Sequence, residues 1–107
     1  MRPHYRQGDV LLVAVPAIPE DARLVPRDQG RIVLALGEAT GHAHAIADPQ
    51  AALMETALQE RFLHVLREGG VLLRHEEHHP ILLPQGAYQV RRQREYSPGA
   101  VWRMVAD

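Results

Sequence analysis

Residues 69–80 read GGVLLRHEEHHP, and the geometry assigned to them decides between two kinds of fold. Within them, His75-Glu76-Glu77-His78-His79 satisfies the pattern H-E-x-x-H. That pattern has chemical meaning on a helix, where residues i and i+4 share a face. There two imidazoles can hold Zn²⁺ while the glutamate acts as general base. The borders of the stretch oppose a helix. Gly69-Gly70 lies just upstream, and Pro80 disfavours helical geometry for the residue before it. Val71-Leu72-Leu73 serves equally well as a strand. The stretch is therefore read as a short strand running into a turn, and an H-E-x-x-H zinc peptidase is kept only as a minor alternative.

The rest of the chain favours strands. VLLVAV at 10–15 is a short apolar run rich in β-branched residues and stopped by Pro16, and RIVLAL at 31–36 is a second such run. Between them, PAIPEDARLVPRDQG holds three prolines and ends in a glycine, which marks a surface connection. In HAHAIA, residues 42–47, the two-residue period of a strand puts His42, His44 and Ile46 on one face and three alanines on the other. Segment 48–68 is ambiguous. Asp48-Pro49 resembles a helix start and AALMETALQERF is rich in helix formers, so one short helix within 49–67 is an alternative there. ERFLHVL, the two glycines and VLLRH instead suggest a hairpin. AYQVRRQREY at 87–96 alternates as a strand with one face or an edge in water, and AVWRMVA closes the chain as a final strand. The expected fold is all-β, a small antiparallel barrel or sandwich in a single domain spanning 1–107.

Composition narrows the function. A chain of 107 residues supports one core. A net charge of −1 argues against a dedicated nucleic-acid or anionic-membrane binder. No apolar run reaches the roughly 20 residues needed to span a bilayer, and the N-terminus lacks the apolar core of a signal peptide. A cytoplasmic setting is the expectation. With no cysteine, any metal must be held by His, Asp, Glu or backbone oxygen. All 12 basic residues are Arg, and Arg91, Arg92 and Arg94 form their one concentration. These three are read as a solvated sheet edge, with an anionic ligand as the alternative.

Seven histidines are present, five of them in two short clusters. His42 and His44 project from one strand, while His75 and His78 lie some thirty residues on. Antiparallel strands can bring such segments side by side, so the expected metal ligands are His42, His44, His75 and His78. Carboxylate candidates are Glu76, Glu77, Asp48 and Glu55, with Glu76 or Glu77 nearest to serve as a base. Imidazole with carboxylate suits Zn, Mn, Fe, Ni or Cu, and donor type alone does not choose among them. His75 and His78 cannot share a face of a regular strand, so both can bind only where the chain bends. His4 and His64 are read as surface or satisfied residues, and His79 as exposed.

Gly37-Glu38-Ala39-Thr40-Gly41-His42-Ala43-His44 followed by Asp48 resembles the first cupin motif, and Pro84-Gln85-Gly86 resembles the P-x-G of the second. Cupins are small β-barrels that hold a metal with three histidines and a glutamate. The resemblance implies His42 and His44 as ligands and Asp48 in place of the usual glutamate. It departs at Gln89, where the second motif has a histidine, so His75 or His78 would have to substitute. QGDVLLV, GEATGHAH, RHEEHHPI and RQREYSPG together also resemble a group of small uncharacterised bacterial proteins, which implies no activity. The expected function is a histidine-rich metal-binding β-domain, cupin-like, with a small-molecule ligand. The competing class is a non-enzymatic binding or assembly module, in which structural histidines organise a homo-oligomer.

Overall fold

The computed structural model describes residues 3–36 and 42–92. Among the described residues, ten strands are formed: β1 (His4–Gln7), β2 (Val10–Val15), β3 (Arg23–Leu24), β4 (Ile32–Leu36), β5 (Ala43–Ile46), β6 (Ala51–Glu55), β7 (Arg61–Val65), β8 (Val71–Leu73), β9 (Ile81–Leu83) and β10 (Gly86–Arg92). Among the described residues there is no helix, and none is therefore long and apolar enough to cross a membrane. Every strand pair is antiparallel. The expectation of an all-β antiparallel fold is met.

Six strands form one sheet in the order β1-β2-β10-β7-β6-β3, while β4-β5 and β8-β9 are separate two-stranded ribbons. Among the described residues the large sheet is open, with β1 and β3 at its edges, so their arrangement is sandwich-like and not a closed barrel. Alternation along the strands builds the core. Val10 and Leu12 of β2, Ala51 and Leu53 of β6, Leu63 and Val65 of β7 and Tyr88 of β10 pack with Ile32, Leu34 and Ile46 of one ribbon. Val71, Leu73 and Leu83 of the other ribbon complete the cluster. Removing these groups from water is the main force holding sheet and ribbons together. Arg61 adds a polar tie, donating from Nη1 to the Leu34 carbonyl at 3.0 Å and from Nη2 to that of Val33 at 3.3 Å. These carbonyls lie where the β4-β5 register slips between Val33 and Ala35.

The helix entertained within 49–67 is replaced by the β6-β7 hairpin. Pairing between β3 and β7 buries Ala51 and Leu53, and this tertiary gain outweighs the helix propensity of the segment. Asp48 still accepts the Gln50 N–H at 2.8 Å, but as a local turn and not as a helix cap. The hairpin expected across Gly69-Gly70 is not formed either. β6 and β10 take both edges of β7, and β8 pairs with β9 instead. Gly70 permits this crossing, because its φ is +87° and a Cβ there would lie 2.6 Å from the Leu83 carbonyl oxygen. The connection before β4 contains the two-residue edge strand β3. The expected strand at 87–96 is formed as far as Arg92, while its end and the expected strand AVWRMVA lie outside the described residues, as does the loop at 37–41.

Candidate metal centre

Two backbone contacts assemble the centre. Ala45 of β5 and Arg74 exchange both their N–H···O bonds at 2.9 Å, which lays the end of β8 along β5. The chain bends over residues 76–78, directly after this bridge. The helix needed for H-E-x-x-H zinc binding is therefore absent, since 71–73 is a strand and the following residues turn. That bend meets the condition for His75 and His78 to approach the same place.

All four histidines expected as ligands are neighbours. Ring centroids lie 4.3 Å apart for His44 and His75, 4.6 Å for His75 and His78, 5.6 Å for His42 and His75, and 5.8 Å for His44 and His78. Among the described residues, His42, His75 and Glu76 bring one donor atom each to within 4.8 Å of one another. His44 and His78 flank this trio. Asp48 and Glu55 stand elsewhere: Asp48 pairs with Arg67 at 2.6 Å, and Glu55 lies 3.6 Å from Arg61. His4 and His79 are exposed and His64 is half-buried.

Hydrogen bonds fix the ring orientations. Nδ1 of His42 lies 2.7 Å from Glu77 Oε1, a charge-assisted hydrogen-bond distance that puts the proton on Nδ1 and directs the lone pair to Nε2. Glu77 thus orients a ring where a base had been considered. Glu76 Oε1 accepts the Ala43 N–H at 2.9 Å, and this bond is the leading cause of a Glu76 carboxyl pKa below its ordinary value. His75 is held differently. Its Nδ1 accepts the Glu77 N–H at 3.0 Å, so the neutral ring carries its proton on Nε2.

His44 is the buried member, 5% exposed. Its Nδ1 lies 2.9 Å from Oε1 of Gln7, and Gln7 Nε2 donates to the carbonyls of Leu73 at 2.9 Å and His79 at 3.0 Å. Burial is the largest influence lowering the His44 pKa, reinforced by the imidazoles of His75 and His78, while Asp9 opposes the shift. At Asp9, burial pushes the pKa up, but the hydrogen bond and charge of Arg92 prevail and the carboxyl lies below its ordinary value. Arg92 reaches Asp9 Oδ2 at 2.7 Å and the Leu36 carbonyl at 3.1 Å, while Arg91 folds back on Gln89. Much of the basic stretch is thus committed within the domain, with Arg94 outside the described residues.

Gln7, Gly8 and Asp9 were missed from sequence as parts of this centre. The only signal available was that a polar Gln-Gly-Asp turn precedes a buried strand, and nothing local ties residue 7 to residue 44. Beside His75 and Glu76 lies a cavity of about 320 Å³, bounded also by Ala43, Ala45, Arg31 and Arg74. The small side chains on the alanine face of HAHAIA leave this space.

No curated protein and no solved structure matches the chain. A family model described as a domain of unknown function, DUF8820, matches residues 6–93 and so includes every residue of the cluster. The chain belongs to the DUF8820 family.

Proposed function

We propose that this domain binds a divalent transition metal through His42, His75 and Glu76. The supporting observation is the convergence of these three donors within 4.8 Å from segments far apart in sequence. Two imidazoles and one carboxylate leave coordination positions open. Such a donor set is found at catalytic zinc sites and at mononuclear non-haem iron sites, and it also suits Mn, Ni and Cu. His42 has the outer-sphere support expected of a ligand, because a carboxylate on Nδ1 fixes the ring. His75 must move its proton from Nε2 to Nδ1 and release the Glu77 N–H before Nε2 can ligate. A combination of histidines with one glutamate at strand ends is of the kind the cupin resemblance implies, with Glu76 in the role that Asp48 does not fill. The open positions would take a small molecule, and Arg31 and Arg74 around the neighbouring cavity favour an anionic one.

The test is metal analysis of protein purified without a histidine tag, followed by Zn²⁺, Mn²⁺, Fe²⁺ and Ni²⁺ titration of the wild type, His42→Ala and Glu76→Gln. Stoichiometric metal in the wild type, bound at least about 100-fold more weakly by each variant, supports the reading. Wild-type protein that binds none of these ions overturns it.

A second reading is favoured by a separate observation. Leu72 and Leu82 are cross-strand partners on the outer face of the β8-β9 ribbon and are exposed by 40% and 53%. In that reading the domain is an assembly module whose histidines stabilise the ribbon. Light scattering would find a concentration-dependent dimer, abolished by Leu72→Glu/Leu82→Glu and indifferent to metal.

A further inference from the structure

The trio leaves the buried imidazole of the cluster unexplained, and His44 faces a carboxylate in a manner unlike its neighbour. Resting on the reading of the cluster as a metal centre, we propose that Nε2 of His44 and Oδ1 of Asp9 form a second seat for a divalent transition metal. The end of the domain is then a two-cation centre.

The orientation of Gln7 carries the first step. Its Nε2 donates to two backbone carbonyls, which can only accept. Oε1 is thereby turned toward His44, where it must accept a proton from Nδ1. In the neutral ring the lone pair lies on Nε2, and Nε2 points at Asp9. Two acceptors facing each other are mutually repulsive unless a cation lies between them.

Distance carries the second step. Nε2 of His44 and Oδ1 of Asp9 are 3.4 Å apart. A charge-assisted hydrogen bond closes to about 2.7–2.9 Å, as the His42–Glu77 pair in the same cluster does at 2.7 Å. The His44–Asp9 gap is too wide for that bond and suits two ligands of one ion. An ion about 2.1 Å from each atom would subtend an angle of roughly 108° across the 3.4 Å separation, close to tetrahedral.

The surroundings of both atoms suit ligation. The other nitrogen of His44 is bonded to an amide oxygen, the outer-sphere arrangement typical of ligating histidines. The other oxygen of Asp9 is held by Arg92 Nε at 2.7 Å, which aims Oδ1 inward. Nε2 of His78 lies 2.8 Å from where a Cβ on Gly8 would stand and Cε1 of His44 lies 3.1 Å from the same point, so His78 is the neighbouring imidazole from which a side-chain rotation would draw a third donor.

Equilibrium dialysis of the untagged full chain against Zn²⁺ tests this, with circular dichroism verifying the fold of Asp9→Asn and His44→Gln. The wild type is expected to take up two equivalents. Asp9→Asn, His44→Gln and Glu76→Gln should each retain one, the missing equivalent being weakened at least about 100-fold. One wild-type equivalent that survives Asp9→Asn and His44→Gln but is lost in Glu76→Gln overturns the second seat and leaves the first. One equivalent lost in all three variants also overturns it, since all the donors would then serve a single ion. One equivalent lost in Asp9→Asn and His44→Gln but retained in Glu76→Gln supports this seat and overturns the trio. No uptake by the wild type overturns both.

Discussion

Gly8 lies directly beneath His78: a Cβ at position 8 would be 2.8 Å from Nε2 of His78 and 3.1 Å from Cε1 of His44. The φ of Gly8 is +58°, a conformation that L side chains resist. Two independent constraints therefore act on one residue. Gly8→Ala is expected to cost about 1–2 kcal/mol in urea unfolding through the backbone alone, and to displace His78 because that exposed ring yields more readily than buried His44. Gly8→Asn relieves part of the backbone cost but keeps the Cβ. If Gly8→Asn were as stable as the wild type and its histidine ring resonances unshifted, the close approach would not be a constraint.

Gln7 is a buried polar residue serving three partners: His44 Nδ1 and the carbonyls of Leu73 and His79. Gln7→Leu keeps the approximate volume and strands all three. Leaving a buried polar group unsatisfied costs about 1–3 kcal/mol, so a total loss near 3 kcal/mol is expected, read as a lower urea midpoint at unchanged m value. A loss below about 1 kcal/mol would mean that water replaces the amide and that Gln7 does not set the His44 ring. Gln7→Glu discriminates further, since a carboxylate cannot donate to either carbonyl and should also destabilise.

The contrast between these residues and the rest of the fold shows what sequence could reveal. VLLVAV and RIVLAL announce their strands because each is a short apolar run between turn residues. The alternation in HAHAIA sets its three alanines apart from His42, His44 and Ile46, and Ala43, Ala45 and Ala47 line one cavity together. Segment 51–55 was less legible, because its strand state comes from pairing with β3 and β7 and not from its own residues. The proximity of His42, His44, His75 and His78 followed from assuming that the two clusters lie on adjacent segments. Gln7 and Asp9 were not legible as part of the centre: their relation to His44 depends on how β1 meets the end of β8, a long-range consequence of sheet order. The bend after Arg74 was legible from Pro80, and it removes the helix that H-E-x-x-H requires.

Asp48 gives a prediction in pH. Its carboxylate accepts from Arg67 Nε and the Gln50 N–H, and the Arg67 bond is the leading cause of a pKa below the ordinary 3.8. A carboxyl with a depressed folded pKa stabilises the fold above its unfolded pKa, and that contribution disappears as pH falls through the folded value. Asp48→Asn should therefore lower the urea midpoint at pH 7, with the difference shrinking as pH falls below the ordinary carboxylate range. Added salt should narrow the difference at pH 7, because the pair is solvent-accessible. A difference that persists undiminished at pH 2 would show that the turn, and not the charge, is what Asp48 supplies.

The proposed metal binding at the trio would have a local cost that can be observed directly. The Glu77 N–H donates to Nδ1 of His75 at 3.0 Å, and ligation through Nε2 requires that nitrogen to carry the proton instead. Coordination through Nδ1 would displace the same N–H. Either way, the Glu77 amide would lose its acceptor on metal binding, while the Ala45–Arg74 bridge immediately before His75, which uses only backbone groups, would be untouched. Adding Zn²⁺ to isotopically labelled protein should move the Glu77 amide resonance and speed its hydrogen exchange, leaving those of Ala45 and Arg74 slow. His75→Ala, which lacks the acceptor from the start, should show a Glu77 amide that does not respond to Zn²⁺. A wild-type Glu77 amide unmoved by saturating Zn²⁺ would mean that His75 stays in its present tautomer and that any bound ion is held by other donors.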